Sequence, residues 1–210
     1  MAKDKWVLRP GVTNPTLWFP KRPKGSEWKR IRQIVLEREN WTCVFCKHRA
    51  RKWMNLHHVR NSRDNSPKNL VPVCFACHAV LHIGYNLGLG IIEIWKSKLP
   101  QVQIVRRTRE AVRKGRTLAS IKTSLRLTRG PLPPKSVDYA NSLVSSMGRA
   151  SRAYLGAPLC AVFVGLKRWQ IEEETSMPTD PRNKAMQPTR VAAKPLRVPS
   201  SRNRAAARRG

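Results

Sequence analysis

Two Cys-x-x-Cys pairs, "CVFC" (Cys43, Cys46) and "CFAC" (Cys74, Cys77), are separated by 27 residues and constrain the fold of this chain more than any other feature. Each pair forms a tight knuckle that presents two thiolates to one ion, and two knuckles complete a tetrahedral four-sulfur zinc site. Such a site has no open coordination position, so its expected role is structural: it pins a small unit too short to hold a core by itself. Two disulfides or a redox Cys-x-x-Cys are the other readings of the spacing. A redox motif needs no partner pair. Disulfides need an oxidising compartment. The start "MAKDKWVLRPGVTNP" lacks the apolar core of a signal peptide, and the longest apolar stretch, "PLCAVFVGL", is too short to span a bilayer. The expectation is therefore a soluble, intracellular (cytoplasmic) protein whose clustered cysteines hold metal. Cys160 stands outside the frame and is expected to be a buried apolar residue.

Charge points to the partner. Lys and Arg number 42 against 12 Asp and Glu, a formal net charge of +30 spread over nearly the whole length. A polyanion relieves that self-repulsion, and nucleic acid is the commonest one, because neutralising phosphates releases condensed counterions.

The chain divides into four regions. Residues 1–25 carry four prolines and two tryptophans without helical or strand periodicity, and are expected to form a basic extended arm. Order begins at "SEWKRIRQIVLEREN", where Trp28, Ile31, Ile34 and Val35 fall at helical spacing, Ser26 is placed to cap the free amides and Asn40 to stop the helix. Residues 26–85 then hold four of the five cysteines and every histidine. Residues 86–172 are basic and expected to be mainly helical. Within them "LGIIEIW" fits a strand or a short buried helix, and "TREAVRKGRTLASIKTSLRLTRG" has helical spacing at Ala111, Val112, Leu118, Ile121 and Leu125, interrupted at Gly115. That stretch fits a helix-turn-helix weakly and a plain basic helical hairpin better. Residues 173–210 shift to Pro, Ala, Ser, Arg and Lys, with no acidic residue after Asp180, and are expected to be a disordered basic tail.

The five histidines lie in one 35-residue window. In "CHAVLH", His78 and His82 are four apart, so on a helix starting near Cys77 they project from one face and can grip one ion together. The cysteines already have their metal, which implies a second site. In "NLHHVRNS", neighbours on a strand point to opposite faces, so His57 and His58 do different jobs. One turns toward the helix to complete a His57, His78, His82 triad. The other is left to take a proton from water, which suits a side chain whose ordinary pKa is near neutrality. The plainer alternative leaves that second histidine as a hydrogen-bonded structural residue.

The order Cys-x-x-Cys, "HH", "NL", "CxxCH" and a following histidine resembles the HNH endonucleases, over roughly residues 26–84. The resemblance implies an α+β chain built on a small ββα-metal unit stapled by a four-cysteine zinc site, with basic helical and disordered flanks. It implies metal-dependent hydrolysis of phosphodiester bonds in DNA, double-stranded in the first instance. Carried over by position, His57 is a ligand of the catalytic divalent metal (Mg²⁺, Mn²⁺, Ni²⁺ or Zn²⁺) and His58 the general base. Asn69, in "PKNLVPVC", braces the loop carrying the base, His78 is the final histidine of the family name, and His82 is a ligand in some members. Many members have Asp where His57 stands, and the neutral ligand shifts metal preference toward softer ions. Arg60 and Arg63, beside the base, are placed to hold flanking phosphates. A different class of protein also fits the cysteines and the charge: a non-catalytic zinc ribbon that binds nucleic acid. Such a ribbon has no need of His57, His58, His78, His82 and Asn69 together.

Overall fold

A computed structural model of the chain describes residues 6–13, 23, 25–60, 62–130, 132–148, 150, 152–167 and 170–171. All of these fall in the first of two units, Met1–Met177; the second, Pro178–Gly210, and with it the predicted disordered tail, lies outside the described residues. The architecture is α+β, with three two-stranded antiparallel sheets and several helices among the described residues.

The first helix, α1 (Ser26–Arg38), buries Val35 and Leu36 and exposes Lys29, Arg30 and Arg38. Ser26 does not cap it: Ser26 is the first helical residue and Gly25 holds the cap position, at φ +59°, with no side-chain hydrogen bond. The far end stops at Asn40, which takes the left-handed conformation at φ +50°. There the Asn40 N–H returns to the Glu37 carbonyl and the Trp41 N–H to the Leu36 carbonyl, so two orphan carbonyls are satisfied. The first knuckle follows. Strand β1 lies earlier, at Gly11–Thr13, inside the region read from sequence as an extended arm; a three-residue strand is too short to show periodicity.

After the knuckle, β2 (Met54–His58) pairs antiparallel with β3 (Leu70–Cys74), setting His57 opposite Val71 and His58 opposite Leu70. A loop and a 3-10 turn at Pro67–Asn69 join them. Arg38 of α1 clasps that turn, donating to the carbonyls of Pro67 and Leu70 at 2.8 Å each. Strand β3 runs directly into α2 (Phe75–Leu81), whose first turn is capped by the Cys74 sulfur accepting from the Cys77 N–H at 3.5 Å. His82 ends α2, and α3 (Ile83–Gly88) begins at once.

Among the described residues beyond 85, helices alternate with strands. The ambiguous "LGIIEIW" is a strand, β4 (Ile92–Lys96), and α4 (Gln101–Arg113) and α5 (Leu118–Ser124) flank Gly115, which turns at φ +77°. After α5, Thr128 bridges to Lys96 of β4. Helix α6 (Val137–Ser146), β5 (Arg152–Tyr154) and β6 (Leu159–Phe163) complete the described elements. Strand β5 pairs with β1, and β6 with β4. One hydrophobic cluster joins Leu8, Val35, Val73, Val80, Ile104 and Phe163, so the core runs across the predicted boundary at 85. Cys160 is buried in β6, where burial pushes its thiol pKa up to about 12, as suits an apolar role.

A part-buried ion pair ties α5 to β4. The Lys122 ammonium lies 2.7 Å from Glu93 Oε2, which also accepts from Trp95 Nε1 at 2.7 Å, and the ammonium sits 4.7 Å over the Trp95 ring. Burial would raise the Glu93 pKa, but the hydrogen bonds from Lys122 and Trp95 outweigh it and lower the value overall. The pair's contribution is therefore present above the ordinary carboxylate pKa and is lost as pH falls through the depressed folded value. Lys122→Met leaves Glu93 buried beside one neutral donor and is expected to cost about 2 to 3 kcal/mol in urea unfolding at pH 7. The difference from wild type should narrow below the carboxylate range, where Glu93 is protonated. A gap that is the same at pH 7 and pH 3.5 would mean that the pair's charge is not what Lys122 contributes.

Candidate metal centre

The first cluster is the cysteine frame. Cys43, Cys46, Cys74 and Cys77 are all buried and free, and their sulfurs lie within 4.8 Å of one another. The Cys46 and Cys74 sulfurs are 3.6 Å apart, close to the roughly 3.8 Å edge of a tetrahedron with zinc–sulfur bonds of about 2.3 Å. Burial pushes the Cys74 and Cys77 thiols well above the ordinary thiol range. Hydrogen bonds from Cys43, Cys74 and Cys77, with Arg109 beyond them, hold Cys46 far below it. Four sulfurs this close cannot all be thiolates unless a cation sits among them.

Arg109 supplies an independent sign of negative charge there. Its side chain is buried on α4, and it donates from Nη1 to Cys46 Sγ at 3.3 Å and from Nη2 to Cys74 Sγ at 3.1 Å, while Nε donates to the Ile171 carbonyl at 2.8 Å. Burial disfavours the guanidinium charge, yet the Cys74 and Cys46 sulfurs raise its pKa overall. A buried guanidinium is costly unless paired. Four thiolates around one Zn²⁺ carry a net double negative charge, which Arg109 offsets in part. The residues present therefore fit a structural zinc ion. Sequence reasoning missed Arg109, although a signal existed: it lies between Val105 and Val112 on the apolar stripe of α4, where an unpaired charge would be out of place.

The second cluster is His57, His78 and His82, whose ligating nitrogens also lie within 4.8 Å of one another. Strand β2 brings His57, and α2 with its terminal residue brings the other two. Ring centroids are 6.0 Å apart for His57 and His78, 5.7 Å for His57 and His82, and 4.4 Å for His78 and His82. His57 Nε2 is buried without a hydrogen-bond partner. Burial first, then the charges of Arg152, His78 and His82, push the His57 pKa well below the ordinary imidazole value, so the ring is neutral with a lone pair to offer. An orphaned buried nitrogen among two further imidazoles fits a divalent cation with an affinity for nitrogen.

His58 points away from this cluster, as β-strand alternation requires, and is half-buried. Its Nε2 lies 3.0 Å from Asn65 Oδ1. A carbonyl oxygen only accepts, so Nε2 carries the proton and Nδ1 keeps the basic lone pair. Asn69 is buried behind the loop and ties both of its sides: Oδ1 accepts from the Arg60 N–H at 3.0 Å, Nδ2 donates to the Asp64 carbonyl at 2.7 Å, and its own carbonyl accepts from the Val59 N–H at 2.8 Å. Arg60 and Arg63 are on the same loop, and both are exposed. From β5, Arg152 donates to the His58 carbonyl at 3.1 Å and to the Tyr154 hydroxyl at 3.1 Å. Asn65 lies in the loop between His58 and Pro67 but carries no spacing signal, and Arg152 has none at all.

No family model matches this chain, and no curated protein matches its sequence. Among the described residues no helix is long and apolar enough to cross a membrane.

Proposed function

We propose that this chain is a metal-dependent endonuclease of the HNH kind, hydrolysing phosphodiester bonds in DNA with His58 as general base and His57, His78 and His82 as the ligands of one divalent ion. The observation that carries the reading is the buried, unpartnered His57 Nε2 within the three-histidine cluster, on the same strand as a histidine that faces the other way. A purely structural zinc protein has no use for that arrangement.

A divalent ion bound there supplies Lewis-acid stabilisation of the charge that builds on the phosphate and the leaving oxygen. The protein's own groups do the rest. His58 takes a proton from the attacking water at Nδ1, while Asn65 holds the ring through Nε2. Asn69 keeps the loop around the base in one shape. None of the three ligands is a carboxylate, so an ion's charge would not be offset by a coordinated anion, and with Arg152 nearby the site favours an anionic substrate. Arg60 and Arg63 are placed to meet flanking phosphates.

The test is to incubate the full chain with plasmid, single-stranded DNA and RNA across Mg²⁺, Mn²⁺, Ni²⁺ and Zn²⁺. Plasmid nicking and linearisation are expected with at least one of these ions. If wild type cuts nothing under any of them, the non-catalytic zinc ribbon takes its place, a reading that the cysteine cluster and the charge alone would satisfy. For binding, the basic tail is expected to supply sequence-independent affinity. Deleting residues 175–210 should weaken DNA binding about equally on all sequences and flatten the slope of log affinity against log salt by about 0.9 per lost phosphate contact. An unchanged slope would mean that the tail does not meet the backbone.

A further inference from the structure

We propose that Thr13, on strand β1 and ahead of the entire cysteine and histidine motif, is a positioning residue that sets which ring nitrogen His82 offers to a divalent cation. The proposal rests on the reading of His57, His78 and His82 as ligands of one ion. Thr13 Oγ1 lies 2.8 Å from His82 Nδ1, across 69 residues of sequence. His82 needs such a partner more than His78 does. It sits at the break between α2 and α3, at φ −129° and ψ 49°, outside regular helix, so helical geometry does not orient its ring.

The chemistry of the contact selects one tautomer. A threonine hydroxyl can donate or accept. When it accepts, His82 Nδ1 carries the proton and donates it, and Nε2 is left with a lone pair for a cation. When it donates, the proton sits on Nε2 and that position is closed to metal. Ligand binding therefore favours the first arrangement, and the hydroxyl in turn fixes the ring and raises its basicity.

Strand β1 is built to make this contact. A Cβ on Gly11 would stand 3.1 Å from the Leu81 carbonyl, so the absence of a side chain there lets β1 close on the end of α2 that carries His82. The partner strand reaches the other half of the site: Thr13 pairs in register with Arg152, whose guanidinium holds the carbonyl of His58. One two-stranded sheet, formed by segments outside residues 26–85, thus touches both a cation ligand and the residue proposed as base.

The experiment uses the full chain with zinc in the four-cysteine site, titrated calorimetrically with Ni²⁺ alone. Thr13→Val is expected to bind Ni²⁺ about 10- to 100-fold more weakly than wild type, with Thr13→Ser within about threefold of wild type, because only the hydroxyl is at issue. His82→Ala is the control for loss of the site, and zinc content and melting temperature should be unchanged in Thr13→Val. In wild type without Ni²⁺, ¹⁵N shifts of His82 should report the proton on Nδ1, a measurement that needs no variant to fold. Wild-type affinity in Thr13→Val, equal weakness in Thr13→Ser, or a proton on Nε2 would each overturn the proposal. A wild type that binds no Ni²⁺ overturns it together with the ligand reading. Weakened Ni²⁺ binding in Thr13→Val alongside a wild type that cuts no DNA leaves it standing and removes only the nuclease.

Discussion

His58→Ala protein is expected to keep its zinc, its fold and its DNA affinity while cleaving DNA about 10²- to 10⁴-fold more slowly, the usual contribution of a positioned proton acceptor. His58 is half-buried and its ring nitrogen bonds a side chain of a surface loop, so truncation leaves no orphaned polar group in the core. A base that acts in the transition state adds little to ground-state binding. His57→Ala and His78→Ala should behave differently. They remove ligands, so part of their lost cleavage should return at high Mn²⁺ or Ni²⁺, whereas no metal concentration should restore His58→Ala. Single-turnover cleavage across a metal titration, beside fluorescence-detected DNA binding, separates the two behaviours. Normal cutting by His58→Ala would remove it from the chemistry.

Cys74→Ser should have the largest effect on stability. Cys74 is fully buried, and its sulfur caps α2, receives Arg109 and completes the four-sulfur set. The substitution is expected to release zinc and abolish cooperative unfolding, a loss approaching the 10 kcal/mol or so that zinc supplies in isolated metal domains. Arg109 would then be a buried charge with too few partners, which adds to the cost. Because the hydrophobic cluster is continuous from Leu8 to Ile171, the damage should spread to the strands and helices after residue 85. Zinc content by a colorimetric chelator and a circular dichroism melt read both effects. A zinc-free variant that melts like wild type would show that the cluster is dispensable.

What could be read from sequence is what chain spacing encodes locally. Two Cys-x-x-Cys pairs converge because each is a tight turn, and His78 comes to His57 on the short helix that follows β3, with His82 at that helix's end. Alternation along β2 separated His57 from His58 in the same way. Thr13, Arg109 and Arg152 were beyond reach because their partners are 69, 63 and 94 residues away and depend on how distant strands and helices dock. Ser26 failed as a cap for a local reason: the helix starts one residue earlier than the capping pattern suggested, and Gly25 accepts the backbone angle that the junction requires. Strands β5 and β6 were missed because runs of three and five residues are too short for periodicity to separate from helix.

Arg109 would also make the residence time of an ion held by the four sulfurs a property of a helix. All four sulfurs are out of solvent, and a guanidinium anchored to α4 and to the carbonyl of Ile171 lies across two of them. With α4 in place, that guanidinium would stand between two of the sulfurs and an incoming chelator. Exchange then runs at the opening rate of a packed helix, a slow sub-global event, rather than at the rate of ligand substitution at an open metal. The clock for losing a zinc ion held there would be set 63 residues downstream of Cys46.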